Sequence, residues 1–205
     1  MKTVTRRPGT QRREQIAAAV LEIIGKRGLT SLSTATLARQ VGLSSGGLFR
    51  HFASLEEIME EATRMAVEML EATFPEPELP PIERIRTLGL NRIELLGANP
   101  GLTWLLMSQQ AYLTLPPTSV TKLRAVVRHS KRFLLAAIRQ GATEGSIRSD
   151  LEPEALLVTI LGTVHALIGM QGVARGRARN AEQAMDALLT MLRPLERQHA
   201  EGSAR

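Results

Sequence analysis

The residues with the most chemical potential in this chain gather in one short stretch, Ser44-Ser45-Gly46-Gly47-Leu48-Phe49-Arg50-His51. Small residues at the start of a helix let its backbone approach a partner closely, and the helix dipole favours an anion there. Arg50 and His51 add donors that reach phosphate oxygens or base edges. The pattern suits non-covalent recognition of a polyanion. Covalent chemistry finds no comparable set. His51, His129, His165 and His199 share no i, i+3 or i, i+4 spacing, no Ser/His/Asp group stands out, and no Gly-rich phosphate loop occurs. With no cysteine, disulfides, thiolate zinc sites and cysteine nucleophiles are excluded. The chain is expected to be neither an enzyme nor the holder of a metal or cofactor.

The charge balance points to the same kind of partner. The formal net charge is +6, with Lys2, Arg6, Arg7, Arg12 and Arg13 all ahead of the first acid, Glu14. A basic arm before a helix reaches DNA phosphate or a minor groove, although a solvated tail has the same composition. The apolar stretch from Ile16 to Ile24 is short, carries Glu22 and lacks a cleavage-like sequel, so no signal peptide is expected and the location is expected to be cytoplasmic.

The elements that position these residues read as helices throughout. Ile16, Val20, Ile23 and Ile24 share a face of the first, which stops at Gly28. Ser33 caps a short second helix that breaks at Gly42, Ser44 caps the third, and Ser54-Leu55-Glu56-Glu57 opens a long fourth running to about Phe74. Pro75 to Pro81 cannot stay helical. Five further helical segments follow, giving about nine in all. One carries Leu102, Leu105 and Tyr112, and the last is read as capped by Asn180 with Gln183 in the reciprocal position, burying Ala184, Leu188, Met191 and Leu195. The expected division is a flexible basic arm at 1–10, an N-terminal helical domain at 11–55, a connecting helix and linker at 56–80, a C-terminal helical domain at 81–198 and a tail at 199–205. From Ala155 to Ala174 no residue is charged. That length could span a bilayer, but His165, Gln171, Thr159, Thr163 and three glycines interrupt it, so a buried dimer face is expected and no membrane contact.

Two short helices joined by Val41-Gly42-Leu43-Ser44 and propped by the first form a helix-turn-helix. The stretch Leu37-Ala38-Arg39-Gln40-Val41-Gly42-Leu43-Ser44-Ser45-Gly46-Gly47-Leu48-Phe49-Arg50-His51-Phe52, followed by Ser54-Leu55-Glu56-Glu57-Ile58, resembles the signature of TetR-family repressors. The resemblance implies an all-helical repressor that binds palindromic double-stranded operator DNA as a homodimer and is released by a small molecule. It implies DNA contacts from Thr34, Ser45, Gly46, Phe49, Arg50 and His51, beside which Gly47 permits close backbone approach. Two positions depart from the family pattern. Phe49 replaces its usual tyrosine and Leu55 its usual lysine, removing a hydroxyl and a charge that would meet phosphate. Trp104, Met107, Gln110, Tyr112 and His165 lie on helices that surround the effector cavity in that family, which suits an apolar or amphipathic molecule.

Overall fold

Three serines decide where the helices of the N-terminal part begin. The computed structural model describes residues 8–170 and 177–194. In it the hydroxyl of Ser33 accepts from the Thr36 N–H at 3.1 Å, that of Ser44 from Gly47 at 3.0 Å, and that of Ser54 from Glu57 at 3.1 Å. Each satisfies one of the donors a helix start leaves unpaired, worth about 1 kcal/mol.

The described residues form ten α-helices and no strand. These are α1 (Pro8–Arg27), α2 (Thr34–Gln40), α3 (Ser45–Leu48), α4 (Leu55–Glu71), α5 (Pro81–Ala98), α6 (Pro100–Met107), α7 (Gln109–Thr114), α8 (Pro117–Glu144), α9 (Pro153–Gly169) and α10 (Arg177–Leu192). The count exceeds the expected nine because Ser108 takes an extended conformation (φ −80°, ψ 124°) between α6 and α7. Apolar spacing runs on across this break, which hides it in the sequence. At the C-terminal end a correction is needed. Asn180 is not a cap, because α10 is already helical at Arg177. Met191 is 68% exposed where burial was expected, while Ala181, Met185, Leu188, Leu189 and Leu192 form the buried side. Leu195, the N-terminal residues Lys2, Arg6 and Arg7, and the tail at 199–205 lie outside the described residues.

The chain divides into two compact units, one reaching to Phe74 and resuming at Asn91–Ser130, the other made of Pro75–Leu90 and the chain from Lys131 onward. In the first unit Ile16, Val20, Ile23 and Ile24 of α1 pack with Leu37 and Val41 of α2, Leu48 of α3, Phe52, and Ile58 and Ala62 of α4. Full burial of such a side chain contributes about 1.5–3 kcal/mol, so this cluster outweighs the poor intrinsic stability of α2 and α3. The backbones of α1 and α6 touch. A Cβ placed on Gly101 would lie 1.9 Å from the Leu21 carbonyl oxygen, and one on Gly25 would lie 2.7 Å from the Gly101 nitrogen.

In the second unit α9 packs on α10. Gly89 near the end of that unit's share of α5 leaves room for Met185, whose Cε would stand 2.8 Å from an added Cβ. After α8, Gly145 turns the chain with φ 77°. Ile147 then seats on Gly141, and the Arg148 N–H donates to the Leu192 carbonyl at 2.8 Å. Among the described residues no helix is long and apolar enough to cross a membrane.

The α1–α6 crossing gives a sharp expectation. Gly101→Ala forces the two helices apart, at a cost of about 3 kcal/mol, which lowers the melting temperature by about 6–12 °C. A thermal melt followed by circular dichroism measures it; an unchanged midpoint would mean that the crossing yields freely.

Candidate nucleic-acid interface

The recognition segment begins at a turn only a glycine enters easily. Gly42 has φ 67°, and the Leu43 N–H reaches back to the Ala38 carbonyl at 2.8 Å, closing the end of α2. The chain then re-enters helix at Ser45 under the Ser44 cap. Only Leu48 of α3 is fully buried, and it anchors the helix against α1 and α2. Ser45, Gly46 and Arg50 are exposed, Gly47 and His51 half-buried, and Thr34 half-buried at the first position of α2. All seven expected DNA-facing residues thus lie in the first unit, on or directly after α2 and α3.

Phe49 and Phe52 divide the aromatic roles. Phe52 is 2% exposed and belongs to the core, whereas Phe49 is 45% exposed. Burial therefore does not explain Phe49. Leu55 behaves differently: it is half-buried against the N-terminal core, and it lines a shallow groove of about 390 Å³ with Met59 and the Thr114–Pro117 segment.

The last two arginines of the basic run ahead of Glu14 have internal work. Arg12 and Arg13 lie within α1, past the arm. Arg12 Nη2 donates to the Val41 carbonyl at 3.0 Å, closing the α2 end. Arg13 Nη1 donates to the His51 carbonyl, and its Nη2 meets Glu57 Oε1 at 2.8 Å. Its guanidinium lies 3.9 Å from the centre of the Phe52 ring. One side chain thus joins α1, the end of the recognition segment and the first turn of α4. Glu57 completes the clamp by accepting from the Ala53 N–H at 2.6 Å. That bond first, and Arg13 second, hold its carboxyl below the ordinary range. Sequence reasoning missed this clamp because its partners lie 38 and 44 positions from Arg13.

The residues expected around an effector are placed as follows. Trp104 of α6 packs against the N-terminal core, Met107 is half-buried at the end of α6, and Gln110 is exposed on α7. Tyr112 is half-buried, with its hydroxyl donating to the Leu106 carbonyl at 3.2 Å. These four belong to the first unit; His165 belongs to the second and stands exposed on α9. Partial desolvation and the positive charge of Lys131 hold its imidazole below the ordinary histidine range. No cluster of metal-ligating side chains occurs among the described residues.

A capped, side-chain-poor recognition helix set on a hydrophobic three-helix core defines a helix-turn-helix DNA-binding protein. The family model for "Bacterial regulatory proteins, tetR family" matches residues 16–62. The nucleoid occlusion factor SlmA of Vibrio campbellii is 30% identical over 163 residues, covering 76% of this chain and 81% of that protein. The HTH-type transcriptional repressor KstR2 of Mycobacterium tuberculosis is 24% identical over 144 residues, 69% of this chain and 72% of the other. The solved structure of that KstR2 matches with a TM-score of 0.75 at 20% identity, over 93% of this chain and 97% of the other. AibR, solved in complex with isovaleryl coenzyme A and operator DNA, matches with a TM-score of 0.70 at 21% identity, over 88% and 97%. The chain belongs to the tetR family of bacterial regulatory proteins and is a DNA-binding transcriptional regulator.

The clamp carries a pH dependence. A carboxyl whose folded value is depressed adds stability above its unfolded value near 4.3, and that stability is lost as pH falls through the folded value. Denaturation curves taken from neutral pH down to about pH 3 should show the wild type losing stability more steeply than Glu57→Gln. Superimposable acid limbs would mean that the Glu57 charge contributes nothing there.

Proposed function

We propose that this protein is a ligand-released repressor that binds a palindromic operator as a homodimer in the cytoplasm. The observation that carries the DNA half of this reading is Gly46. Its backbone is ordinary helix, and a Cβ there would meet nothing within 4 Å. Neither conformation nor packing asks for glycine, which costs roughly 0.5–1 kcal/mol against alanine in a helix. The missing side chain therefore serves a surface outside the protein, and the cap of α3 offers that surface its free N–H groups. Thr34, Ser45, Gly47, Phe49, Arg50 and His51 are assigned to the same contact, with Phe49 facing a thymine methyl or sugar rather than donating to phosphate.

The dimer assignment rests on α9. Its exposed positions Ala155, Val158, Thr159, Gly162, His165, Ala166 and Gly169 recur at helical spacing without one charge, and Val158 is 70% exposed. An uncharged face of this length is suited to a twofold partner, and His165 belongs to it. Release by a small molecule is supported by the likeness to AibR, whose structure holds isovaleryl coenzyme A, and repression by the likeness to KstR2, named a transcriptional repressor. Met107 of α6 and Tyr112 of α7, both half-buried, are the residues assigned to line an amphipathic effector, together with Trp104 and Gln110. The SlmA relatives support a second reading, a DNA-bound occlusion factor with no effector. Selecting bound fragments from the source genome, then titrating isovaleryl coenzyme A against the selected duplex, separates them: dissociation favours the repressor, indifference the occlusion factor.

Two outcomes are expected. Gly46→Ala should raise the melting temperature by about 2 °C and weaken the selected operator about tenfold in fluorescence anisotropy; unimpaired binding would remove α3 from the interface. Val158→Arg, which disturbs no buried contact, should sediment as a monomer and lose most operator affinity, because one subunit spans one half-site. A wild-type monomer at micromolar concentration would defeat the dimer assignment.

A further inference from the structure

Arg92 of α5 is buried, with 7% of its surface exposed, and it has no acidic partner within ion-pair distance among the described residues. What holds it is a set of neutral acceptors. Its Nε donates to Thr73 Oγ1 at 2.6 Å and its Nη2 to Ser130 Oγ at 3.2 Å. Both hydroxyls spend their own protons on helix carbonyls, Thr73 on Leu70 and Ser130 on Val126, so each is fixed as an acceptor toward the guanidinium. The Phe74 ring lies 5.3 Å from its centre on a further side. The fork is therefore aimed and rigid. Nη1 is left with no acceptor among the described residues, yet it is not among the buried unpartnered atoms and so keeps access from outside.

The sequence that follows Arg92 is poor in counter-charge. From Leu95 to Thr143, across α6, α7 and nearly all of α8, the sequence has no Asp or Glu. Arg92 feels Glu71 only through space, and the Oε2 of Glu71 is taken by His129 Nδ1 at 3.0 Å. Apart from the exposed Glu56 in its first turn, the other carboxylates along α4 are likewise engaged: Glu57 with Arg13, Glu60 with Thr118, and Glu61 and Glu68 with Arg64. Burial lowers the Arg92 guanidinium to about 10, which still leaves it charged at neutral pH. A buried cation without a counter-ion carries a heavy desolvation penalty, and hydroxyl acceptors offset little of it.

We propose that Arg92 anchors a subsite that takes an oxyanion, the carboxylate or phosphate of a small effector, as the missing counter-ion. The inference rests on the reading of the protein as ligand-controlled and narrows the effector to an anion. Thr73 and Ser130 hold the fork in plane, so Nη1, together with the outer edge of Nη2, meets the anion with charge-assisted hydrogen bonds. Thr73 closes α4, Arg92 stands on α5 and Ser130 on α8, so one anion binds where three helices meet.

Thermal melting of the full chain tests this, in sodium chloride, sodium acetate and sodium phosphate at matched ionic strength near neutral pH. Acetate or phosphate should raise the wild-type midpoint by a saturable increment of about 3 °C over chloride. The larger of the two increments tells a carboxylate site from a phosphate site. Arg92→Met should melt no lower than wild type in chloride, since it removes an uncompensated charge, and should lose the increment. Arg92→Lys should keep a smaller part of it, because it retains charge without the fork. Should Arg92→Met fail to fold, Ser130→Ala leaves the guanidinium in place unaimed and should cut the increment by half or more. Equal responses of wild type and variants to both anions, no response included, overturn the proposal. The measurement uses no DNA, so its failure leaves the repressor reading standing, and failure to find an operator leaves this result untouched.

Discussion

A helix of four residues closes too few hydrogen bonds to hold itself together in water, so α3 keeps its shape through what surrounds it. Ser44 fixes its start, Leu48 pins its underside and Arg13 holds the chain that leaves it. Two of these restraints are local and one is distant in the sequence, and each acts on backbone or buried carbon rather than on the exposed side chains. The outward face of α3 is consequently free of structural duty. This separation allows small residues to stand where a partner must come close.

The same unit extends well past the helix-turn-helix. The α1–α6 crossing brings two backbones into contact at Gly25 and Gly101, and α7 and the first half of α8 follow in the same compact body. Thr118 of α8 bonds Glu60 of α4, and Arg92 joins the end of α4 to the middle of α8. Both ends of α4, the helix that directly follows the recognition segment, are thus tied to α8. An event that alters the Arg92 surroundings acts on an element that begins four residues after His51. A bistable coupling needs such a shared element, and α4 is placed to be one.

Much of this was legible in the sequence because the signals are local. Ser33, Ser44 and Ser54 announce themselves through partners three residues ahead, and Gly42 through the turn that follows it. The all-helical class and the helix-turn-helix follow from the same short-range periodicities. Other features depend on distance along the chain. Nothing near Arg13 or Arg92 in sequence marks either as internal, since Arg13 meets residues beyond position 50 and Arg92 sits between Thr73 and Ser130. The long acid-free run from Leu95 to Thr143 is a sequence signal that points toward Arg92, and it is visible only when charges are counted by region. Asn180 shows the opposite error: a sound cap signal overridden because the helix starts earlier.

The spareness of α3 also bears on what docking takes away. A side chain that settles on a rigid surface loses rotamer freedom, up to about 2 kcal/mol for an arginine and nothing for a glycine. Ser45, Gly46 and Gly47 have almost none to lose, and His51 already has its carbonyl held by Arg13. The disorder surrendered on contact is concentrated in Arg50 and, to a lesser degree, in the exposed ring of Phe49. A partner docking on this face would find it nearly finished before the encounter, and association there would wait on orientation rather than on side-chain rearrangement.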